Sequence, residues 1–347
     1  MSIKAIGILE LTVGAPELEI RLNQSLSYYW TKTPIFNRFP IVDVATGTGE
    51  TVIDKTINLL NKYYNEGYRI FLGFGRSTVV QGVIPWFEQH PDATGVSCTS
   101  SSDSLNFPKN IYRLQPTDQT TINSIGNILT NSITSGGKIY YVYSDQEVAS
   151  LAVLDYLNTT YGSENIKTFP VVPDSSNLTI ENIQTFYQDT TSNDVAIIYL
   201  FIGTQRDDYI SFFNNAGGLD KPFNQYDMTL SGLPVINPTT TTLKTKYNVI
   251  LNKTVTSTYL WDSGLEYLNL QFSPQALNAV FLITTLVASI PNKNIYSYNG
   301  VLQFNENNDI AYYSYGLYEY TSEGLFFPGI VSILDPLYGN VNFTVVV

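Results

Sequence analysis

Hydroxyl side chains follow two successive apolar runs, at the point where each run ends. Ser77 and Thr78 come shortly after Tyr68–Gly73, and the segment Ser97–Ser102 (SCTSSS) follows Gly95–Val96. Because loops at the carboxyl ends of neighbouring parallel strands line one crevice, we expect these two loops to meet at one site. Hydroxyls and free backbone N–H groups at a helix start give neutral, directional hydrogen bonds to a carboxylate or amide oxygen. The pattern therefore predicts binding rather than reaction chemistry.

A purely structural role explains the same residues. In that interpretation the Ser and Thr side chains cap the following helix, predicted at Val79–Phe87, and fill a turn. The sequence leaves both interpretations open.

The sequence offers little material for catalysis or metal binding. It contains one histidine, His90, and one cysteine, Cys98, which are too few for a zinc site or a Cys-His catalytic pair. The segment Gly47–Glu50 (GTGE) resembles half of a glycine-rich phosphate loop but lacks the Lys and the Ser/Thr that complete one, so we interpret it as a turn. We predict no catalytic residue, no metal site and no cofactor.

The composition excludes several classes of partner. The 347 residues carry a formal net charge of −12 with no basic run, so nucleic acid and anionic membranes are poor partners. The longest apolar helix is predicted at Gln275–Ile290, and it is too short and too polar to span a bilayer. A single cysteine permits no intramolecular disulfide, so stability is expected to come from the core. We therefore expect no nucleic-acid partner and no membrane insertion.

The location of the protein is left open. The first predicted strand, Ile3–Leu9, begins almost at Met1 without the pattern of a signal peptide. The protein is extracellular or periplasmic if a signal peptide was removed, and otherwise intracellular or particle-associated. Five sequons permit glycosylation in a eukaryotic secretory setting: Asn23, Asn158, Asn177, Asn252 and Asn342.

Strand and helix patterns alternate along the chain. Ile3–Leu9 and Phe39–Val44 are predicted strands, and Pro16–Trp30 and Glu50–Asn65 are predicted helices with apolar residues at helical spacing. This alternation predicts a parallel sheet with right-handed crossovers. After Asp118 the alternation starts again, which indicates a second lobe. Its predicted elements are helices at Thr121–Ser135, Glu147–Leu157, Glu181–Gln188 and Tyr209–Ala216, and strands at Lys138–Tyr143, Thr168–Val172 and Val195–Ile202.

Four consecutive segments carry a family resemblance. A G-x-x-x-S-[ST] turn at Gly73–Thr78 is followed by a helix with proline at Val79–Phe87, a hydroxyl-rich loop at Ser97–Leu105 and the segment Tyr112–Gln119. In this order they resemble the type I periplasmic-binding-protein family, in the branch of branched-chain amino acid, amide and urea receptors. Weaker similarity covers Lys138–Asp145, Asp194–Gly203, Ser273–Ile290 and Gly300–Asp309.

The resemblance implies an α/β fold of two Rossmann-like lobes with parallel sheets, joined by three hinge crossovers. The crossovers are expected near Asp118, Asn252 and Tyr315. Lobe one then comprises 1–118 plus 253–314, and lobe two comprises 119–252 plus 315–347.

The resemblance also implies a ligand site. In this family a Ser of the first loop and Ser/Thr and backbone groups of the second loop hold the polar head of the ligand. The matching residues here are Ser77, Ser100 and Ser101, with Thr99 adjacent. Arg76 stands where a small or apolar residue is usual; it either pairs with a ligand carboxylate or bonds at the cleft rim to a neighbouring acid or to the other lobe.

The second lobe departs from the family pattern. Its candidate contacts are Tyr143, Glu147, Thr204 and Gln205, and each is also explained as an ordinary strand-end or helix-start residue. The acidic partner of a ligand ammonium is expected near Thr229–Gly232 (TLSG), which has no carboxylate. Because a buried ammonium without a counter-charge costs several kcal/mol, an α-amino acid is a disfavoured ligand. A neutral amide-, urea- or sugar-like molecule fits better.

Two functions follow from these patterns. The first is a non-enzymatic, receptor-like solute-binding protein that closes its lobes on a small polar ligand, amide-, urea- or amino-acid-like, with a transporter, receptor or surface protein as a further partner. The alternative is a structural or surface-interaction protein that keeps the fold without a soluble ligand. In that case we expect side chains such as Phe74, Trp86 or Tyr143 to fill the space beside Ser77.

Overall fold

The computed structural model covers most of the first 228 residues and parts of the remainder. It describes residues 3–11, 23, 26–27, 30, 39–200, 205–217, 221–228, 246–252, 279, 282–283, 286–287, 295–297, 300–302, 304–310, 313–321, 324–335 and 339–341. Strands beyond residue 245 are described by their backbone pairing.

The first sheet has five strands, all parallel, in the order β2-β1-β3-β4-β5. They are β1 (Lys4–Leu9), β2 (Ile41–Asp43), β3 (Tyr68–Gly73), β4 (Thr94–Ser97) and β5 (Ile111–Arg113). The strands are short and apolar, and β1 is buried from Ala5 to Leu9, as expected for a sheet covered on both faces.

Two helices with fully described bounds pack beside this sheet: α1 (Val52–Asn65) and α2 (Ser77–Gln89). Helix α1 begins after Thr51, whose hydroxyl accepts from the Asp54 N–H at 3.0 Å while the Asp54 carboxylate accepts from the Thr51 N–H. This capping box satisfies two N–H groups that the helix leaves unpaired. Helix α2 contributes the buried aromatic pair Trp86 and Phe87, which pack edge-to-face against Phe71 of β3.

The second sheet has eight strands in the order β15-β14-β13-β10-β9-β8-β6-β7. Its parallel part comprises β6 (Ile139–Ser144), β7 (Ile166–Val171), β8 (Val195–Tyr199), β9 (Asn224–Asp227) and β10 (Lys246–Asn252). A separate antiparallel pair is formed by β11 (Ile295–Ser297) and β12 (Gly300–Leu302). The second sheet continues beyond β10 with β13 (Tyr313–Thr321), β14 (Gly324–Asp335) and β15 (Gly339–Val341), which pair antiparallel.

The predicted fold class is confirmed: the chain is α/β, with two sheets built on parallel strands. The antiparallel extension beyond β10 was not predicted. A chain that returns to an edge strand by a hairpin, as β13 and β14 do, necessarily pairs antiparallel. The lobe boundaries at 118, 252 and 314 stay a prediction.

Among the described residues, five helices accompany the second sheet: α3 (Asp118–Asn123), α4 (Gly126–Thr134), α5 (Val148–Tyr161), α6 (Ile180–Phe186) and α7 (Gln205–Asn215). The single helix predicted at Thr121–Ser135 is wrong, because α3 and α4 are separate. At the break the hydroxyl of Ser124 donates to the Thr121 carbonyl oxygen at 2.6 Å and Ile125 leaves helical geometry. A serine hydroxyl that bonds the backbone in this way competes with the helical hydrogen bonds.

The largest core cluster joins the two halves. It contains buried residues of the first sheet, such as Leu72 and Val96, together with Ile139 and Ile197 of the second. Ala279, Leu282 and Ile283, which fall within the helix predicted at Gln275–Ile290, are helical and buried in the same cluster. Most of that helix, and most of the one predicted at Pro16–Trp30, lies outside the described residues. Within the described part of the chain, no helix is both long and apolar enough to cross a membrane.

Candidate functional site

The parallel strands of the two sheets follow the same spatial order, and this order predicts one crevice on each sheet. In the first sheet β1 lies between β2 and β3, and in the second β6 lies between β7 and β8. Ligands of open α/β sheets bind where the direction of the crossovers reverses, beyond the carboxyl ends of the strands. That point lies between β1 and β3 in the first sheet and between β6 and β8 in the second.

The turn between β3 and α2 has a strained backbone. Gly73 has φ of +155°, and a side chain there would collide with the carbonyl oxygen of Ile8. The next residue, Phe74, has φ of 60°, a left-handed value that is unusual for a bulky residue. Such conformations cluster at ligand sites and switch regions. Here the turn sets Arg76 as the N-cap of α2 and Ser77 as its first residue.

Serine side chains from the loops after β3 and β4 are in contact, as the sequence predicted. The Oγ atoms of Ser77 and Ser100 lie 3.1 Å apart, and the backbone N–H of Ser102 donates to Ser77 Oγ at 3.3 Å. The hydroxyl of Thr99 donates to the Gly75 carbonyl oxygen at 3.0 Å. Ser77, Ser100 and Ser101 are all buried. We call Thr78, Ser77, Ser100 and Ser101 the hydroxyl row.

One end of the hydroxyl row reaches the second sheet through Tyr199. Ser101 Oγ lies 3.0 Å from the hydroxyl of Tyr199, the last residue of β8. The Tyr199 hydroxyl in turn donates to Asp118 Oδ1, and the Asp118 backbone N–H donates to the Ser101 carbonyl oxygen at 2.8 Å. These three residues are almost fully buried. They form a hydrogen-bonded junction where the chain passes from the first sheet towards the second.

Burial sets the protonation of this junction. It raises the pKa of Asp118 from 3.8 to about 7, and the hydrogen bonds from Tyr199 and Ser101 offset only part of the effect. Burial and the neighbouring Asp118 charge also raise the pKa of Tyr199 well above 10. Near neutral pH the Asp118 carboxyl is therefore poised between its neutral and ionised forms.

The other end of the hydroxyl row reaches the second sheet through Glu147. The Thr78 hydroxyl donates to Glu147 Oε2 at 3.2 Å, and Glu147 is the N-cap of α5. Burial raises the pKa of Glu147, while the positive charge of Arg76 and the Thr78 hydrogen bond counteract it.

Arg76 bonds a neighbouring acid, which was one of the two alternatives for this residue. Its Nη2 lies 3.2 Å from both carboxylate oxygens of Glu10, the residue after β1. Glu10 is buried, and burial raises the pKa of its carboxyl against the opposing effect of Arg76. The ion pair occupies the crossover-reversal point between β1 and β3.

Two other second-lobe candidates make internal contacts. The side chain of Gln205, at the start of α7, accepts from Ser144 Oγ at 2.6 Å and donates to the Val172 carbonyl oxygen at 2.7 Å. Tyr143 is buried, and its ring stacks on Tyr141 with centroids 5.0 Å apart. Thr204 lies outside the described residues.

Three residues of the site were not singled out from the sequence: Glu10, Asp118 and Tyr199. Glu10 carried a usable signal, since it is an acidic residue directly after a buried parallel strand. Asp118 and Tyr199 carried none, because they are 81 positions apart and meet only when the two halves pack together.

The aromatic side chains that we expected beside Ser77 in a structural protein lie in two different core clusters. Phe74 and Trp86 belong to the buried cluster of the first half, where each packs edge-to-face on Phe87. Tyr143 belongs to the cluster that joins the halves. Cys98 is buried in that cluster as well. Among the described residues no group of three His, Cys, Asp or Glu side chains is arranged to hold a metal ion.

Comparisons with known proteins identify the fold. The chain is similar to the leucine-binding protein LivK from Thermotoga maritima, with a TM-score of 0.65 and 12% identity over 96% of this chain and 99% of that one. No protein-family model matches the sequence, and no curated protein matches it. At this identity the likeness is one of architecture. The chain has the two-lobed α/β fold of the periplasmic-binding proteins.

Proposed function

We propose that this protein is a non-enzymatic solute-binding protein that closes its two lobes on a small polar ligand. The observation that carries the proposal is the hydroxyl row between the two sheets, with one end against Glu147 and the other against Tyr199. The likeness to a binding protein of the same fold supports it. For lobe one we propose 1–118 plus 253–314, and for lobe two 119–252 plus 315–347.

Ligand binding on this row requires an exchange of hydrogen bonds. Ser77 and Ser100 bond each other, and Thr99 bonds the Gly75 carbonyl oxygen. A ligand docks on these hydroxyls and on Ser101 while the lobes are apart, and the second lobe then closes over it. Closure is favoured only to the extent that the ligand contacts both lobes. Glu147 is the proposed second-lobe contact, while Arg76 and Gln205 hold the surrounding loops.

A thermal-shift screen tests the proposal. The panel contains amino acids, short amides, urea, sugars and amines at millimolar concentration. A ligand at a hundredfold excess over its Kd stabilises the folded state by about 2.7 kcal/mol and raises the Tm. We expect Ser77→Ala to abolish the shift.

Ser132→Ala is the matched control. Ser132 is equally buried and its hydroxyl is also bonded, to the Asn193 carbonyl oxygen at 2.6 Å, but it lies at the far end of the second lobe. A shift that survives Ser77→Ala, or no shift with any compound, contradicts the proposal.

A second function is favoured by one observation: the serines of the hydroxyl row are buried and their hydrogen bonds are made within the protein. A structural or surface-interaction protein that keeps the fold without a soluble ligand has these properties. In that case the row is a permanent clasp between the lobes, and the partner is a surface protein. Silence across the thermal-shift panel, together with destabilisation by Ser77→Ala, supports this function.

A further inference from the structure

Both ends of the hydroxyl row abut a carboxyl group. At one end Thr78 bonds Glu147, and at the other Ser101 bonds the Tyr199 hydroxyl, which bonds Asp118. The row itself contributes neutral groups. A ligand that lies along it therefore meets a carboxyl group at each end.

One carboxylate oxygen at this site has no hydrogen-bond partner in the part of the chain that the structure describes. Asp118 is 2% exposed, its Oδ1 accepts from Tyr199, and its Oδ2 is buried without a partner among the described residues. Because a buried acceptor without a donor costs free energy, a ligand that brings an N–H donor relieves that cost. The unpartnered oxygen points to an N–H donor whatever the charge of the ligand.

The local charge balance disfavours an anionic ligand. Among the described residues, the acids Glu10, Asp43 and Glu147 lie near the cation Arg76, which already pairs with Glu10. A ligand carboxylate placed here meets an excess of negative charge, whereas a cation is stabilised by it.

We infer that the ligand of this cleft is a small organic amine without a carboxylate, held as a cation between the carboxyl groups of Glu147 and Asp118. The inference rests on the proposed function. It changes the expected ligand from a neutral amide, urea or sugar to an amine. In this inference Glu147 and Asp118 provide the negative partner of the ammonium, which the segment Thr229–Gly232 cannot provide because it has no carboxylate.

Binding of a cation is coupled to a proton at Asp118. An ammonium beside this buried group favours the ionised form, so the carboxyl releases its proton to solvent on binding. The charged and titratable groups facing Asp118 are Asp103, Arg113, Tyr141 and Tyr199. Asp103 raises the pKa of Asp118 and Arg113 lowers it, so their effects oppose each other. The phenols of Tyr141 and Tyr199 stay neutral at pH 6 to 8. With its pKa of about 7, Asp118 makes the affinity rise about tenfold from pH 6 to pH 8.

Isothermal titration calorimetry tests the inference. The probes are 1,4-diaminobutane and butylamine as amines, butanamide as a neutral analogue and leucine as an amino acid. Titrations at pH 6 and pH 8, in buffers of different ionisation enthalpy, report affinity and proton release together. We expect the amines to bind with proton release and with about tenfold higher affinity at pH 8.

Two variants locate the site. Asp118→Asn is expected to weaken amine binding and to remove most of its pH dependence, and Glu147→Gln to weaken it at both pH values. Glu147 is only half-buried, so Glu147→Gln keeps the test valid if Asp118→Asn folds poorly. Glu181→Gln, an exposed acid in the first turn of α6, is the control and is expected to change nothing.

The outcomes separate this inference from the proposed function. Binding of butanamide or leucine without binding of an amine overturns the inference and leaves the solute-binding function in place. Amine binding that both variants leave unchanged overturns it as well. No binding by any probe, together with silence in the thermal-shift panel, overturns both.

Discussion

The two edges of the cleft are built in different ways. On the first edge, Ser77, Thr99 and Ser100 come from two loops within 25 residues of chain and bond to one another or to nearby backbone. On the second edge, the contacts join distant segments, as between Ser144 and Gln205. The hydroxyl contacts of the first edge thus join nearby stretches of sequence, whereas the contacts of the second edge depend on the packing of whole elements.

The ion pairs on the two edges differ in how deeply they are buried. On the first edge, Arg76 and Glu10 are 25% and 8% exposed and lie 3.2 Å apart. On the second, Arg206 at the start of α7 and Asp227 at the end of β9 are 6% and 0% exposed, at 2.7 Å. Desolvation makes a buried pair sensitive to loss of one partner, since the remaining charge has no water to stabilise it.

The largest effect is expected from Arg206→Met. Removing the guanidinium leaves Asp227 fully buried, which should lower the free energy of unfolding by about 3–5 kcal/mol. Arg76→Met, the matched change on the first edge, should cost about 1–2 kcal/mol, because Glu10 has a raised pKa and takes up a proton instead. Urea unfolding of both variants measures the difference. Equal costs would show that the two edges do not differ in this way.

The difference between the edges also explains what the sequence could predict. Alternating apolar runs and helical spacing identified the α/β class, and the hydroxyl loops after β3 and β4 identified the first edge. These signals are local, because strand ends and loop composition are readable within about ten residues. The pairing of Arg76 was left open, because its partner Glu10 lies 66 positions away.

Predictions for the second edge depended on analogy. In the structure the side chains of Gln205 and Tyr143 contact other groups of the protein, and their role as ligand contacts stays a prediction. Nothing in the sequence near Gln205 shows that its amide bridges Ser144 and the backbone after β7. The break between α3 and α4 was missed because apolar spacing continues through it. At the end of α3 a serine hydroxyl bonds the backbone, and hydrophobic periodicity does not report such a contact.

An intermediate effect is expected at the junction of the two edges, from Asp118→Asn. With its pKa raised from 3.8 to about 7, Asp118 holds in the folded protein a proton that the unfolded chain has lost. The stability from this proton is fully present below about pH 4 and is lost as the pH rises through about 7. Between pH 5 and pH 8 the wild type should lose on the order of 2–3 kcal/mol from this group.

The asparagine variant cannot titrate at this position, so it should lose less stability than the wild type over that range. Chemical unfolding at pH 5, 6, 7 and 8 measures the two curves. Asp174→Asn, a change at an exposed aspartate of the second half, is the control and should follow the wild type. If Asp118→Asn runs parallel to the wild type, the carboxyl is already ionised in the folded protein and the junction is not a protonated one.

The smallest effect is expected from one of the hydrogen bonds that join the edges, the bond between Ser101 and Tyr199. Single changes Ser101→Ala and Tyr199→Phe and their combination form a double-mutant cycle, with a coupling energy expected at about 1 kcal/mol. Tyr187→Phe replaces Tyr199→Phe in the control cycle. Tyr187 is another fully buried phenol of the second half, bonded to Tyr209 at 2.7 Å, and should show no coupling to Ser101.

Repeating the cycle with and without ligand decides between the two functions. In a solute-binding protein the Ser101 hydroxyl turns to the ligand, so its coupling to Tyr199 should fall towards zero at saturating ligand. In a structural protein the bond is a permanent clasp, and the coupling should stay near 1 kcal/mol with every compound tested. A bond of this size is too weak to hold two lobes closed by itself, but it is strong enough to compete with one ligand hydrogen bond. Its energy in the presence and absence of ligand therefore reports directly on whether the hydroxyl row serves the ligand or the fold.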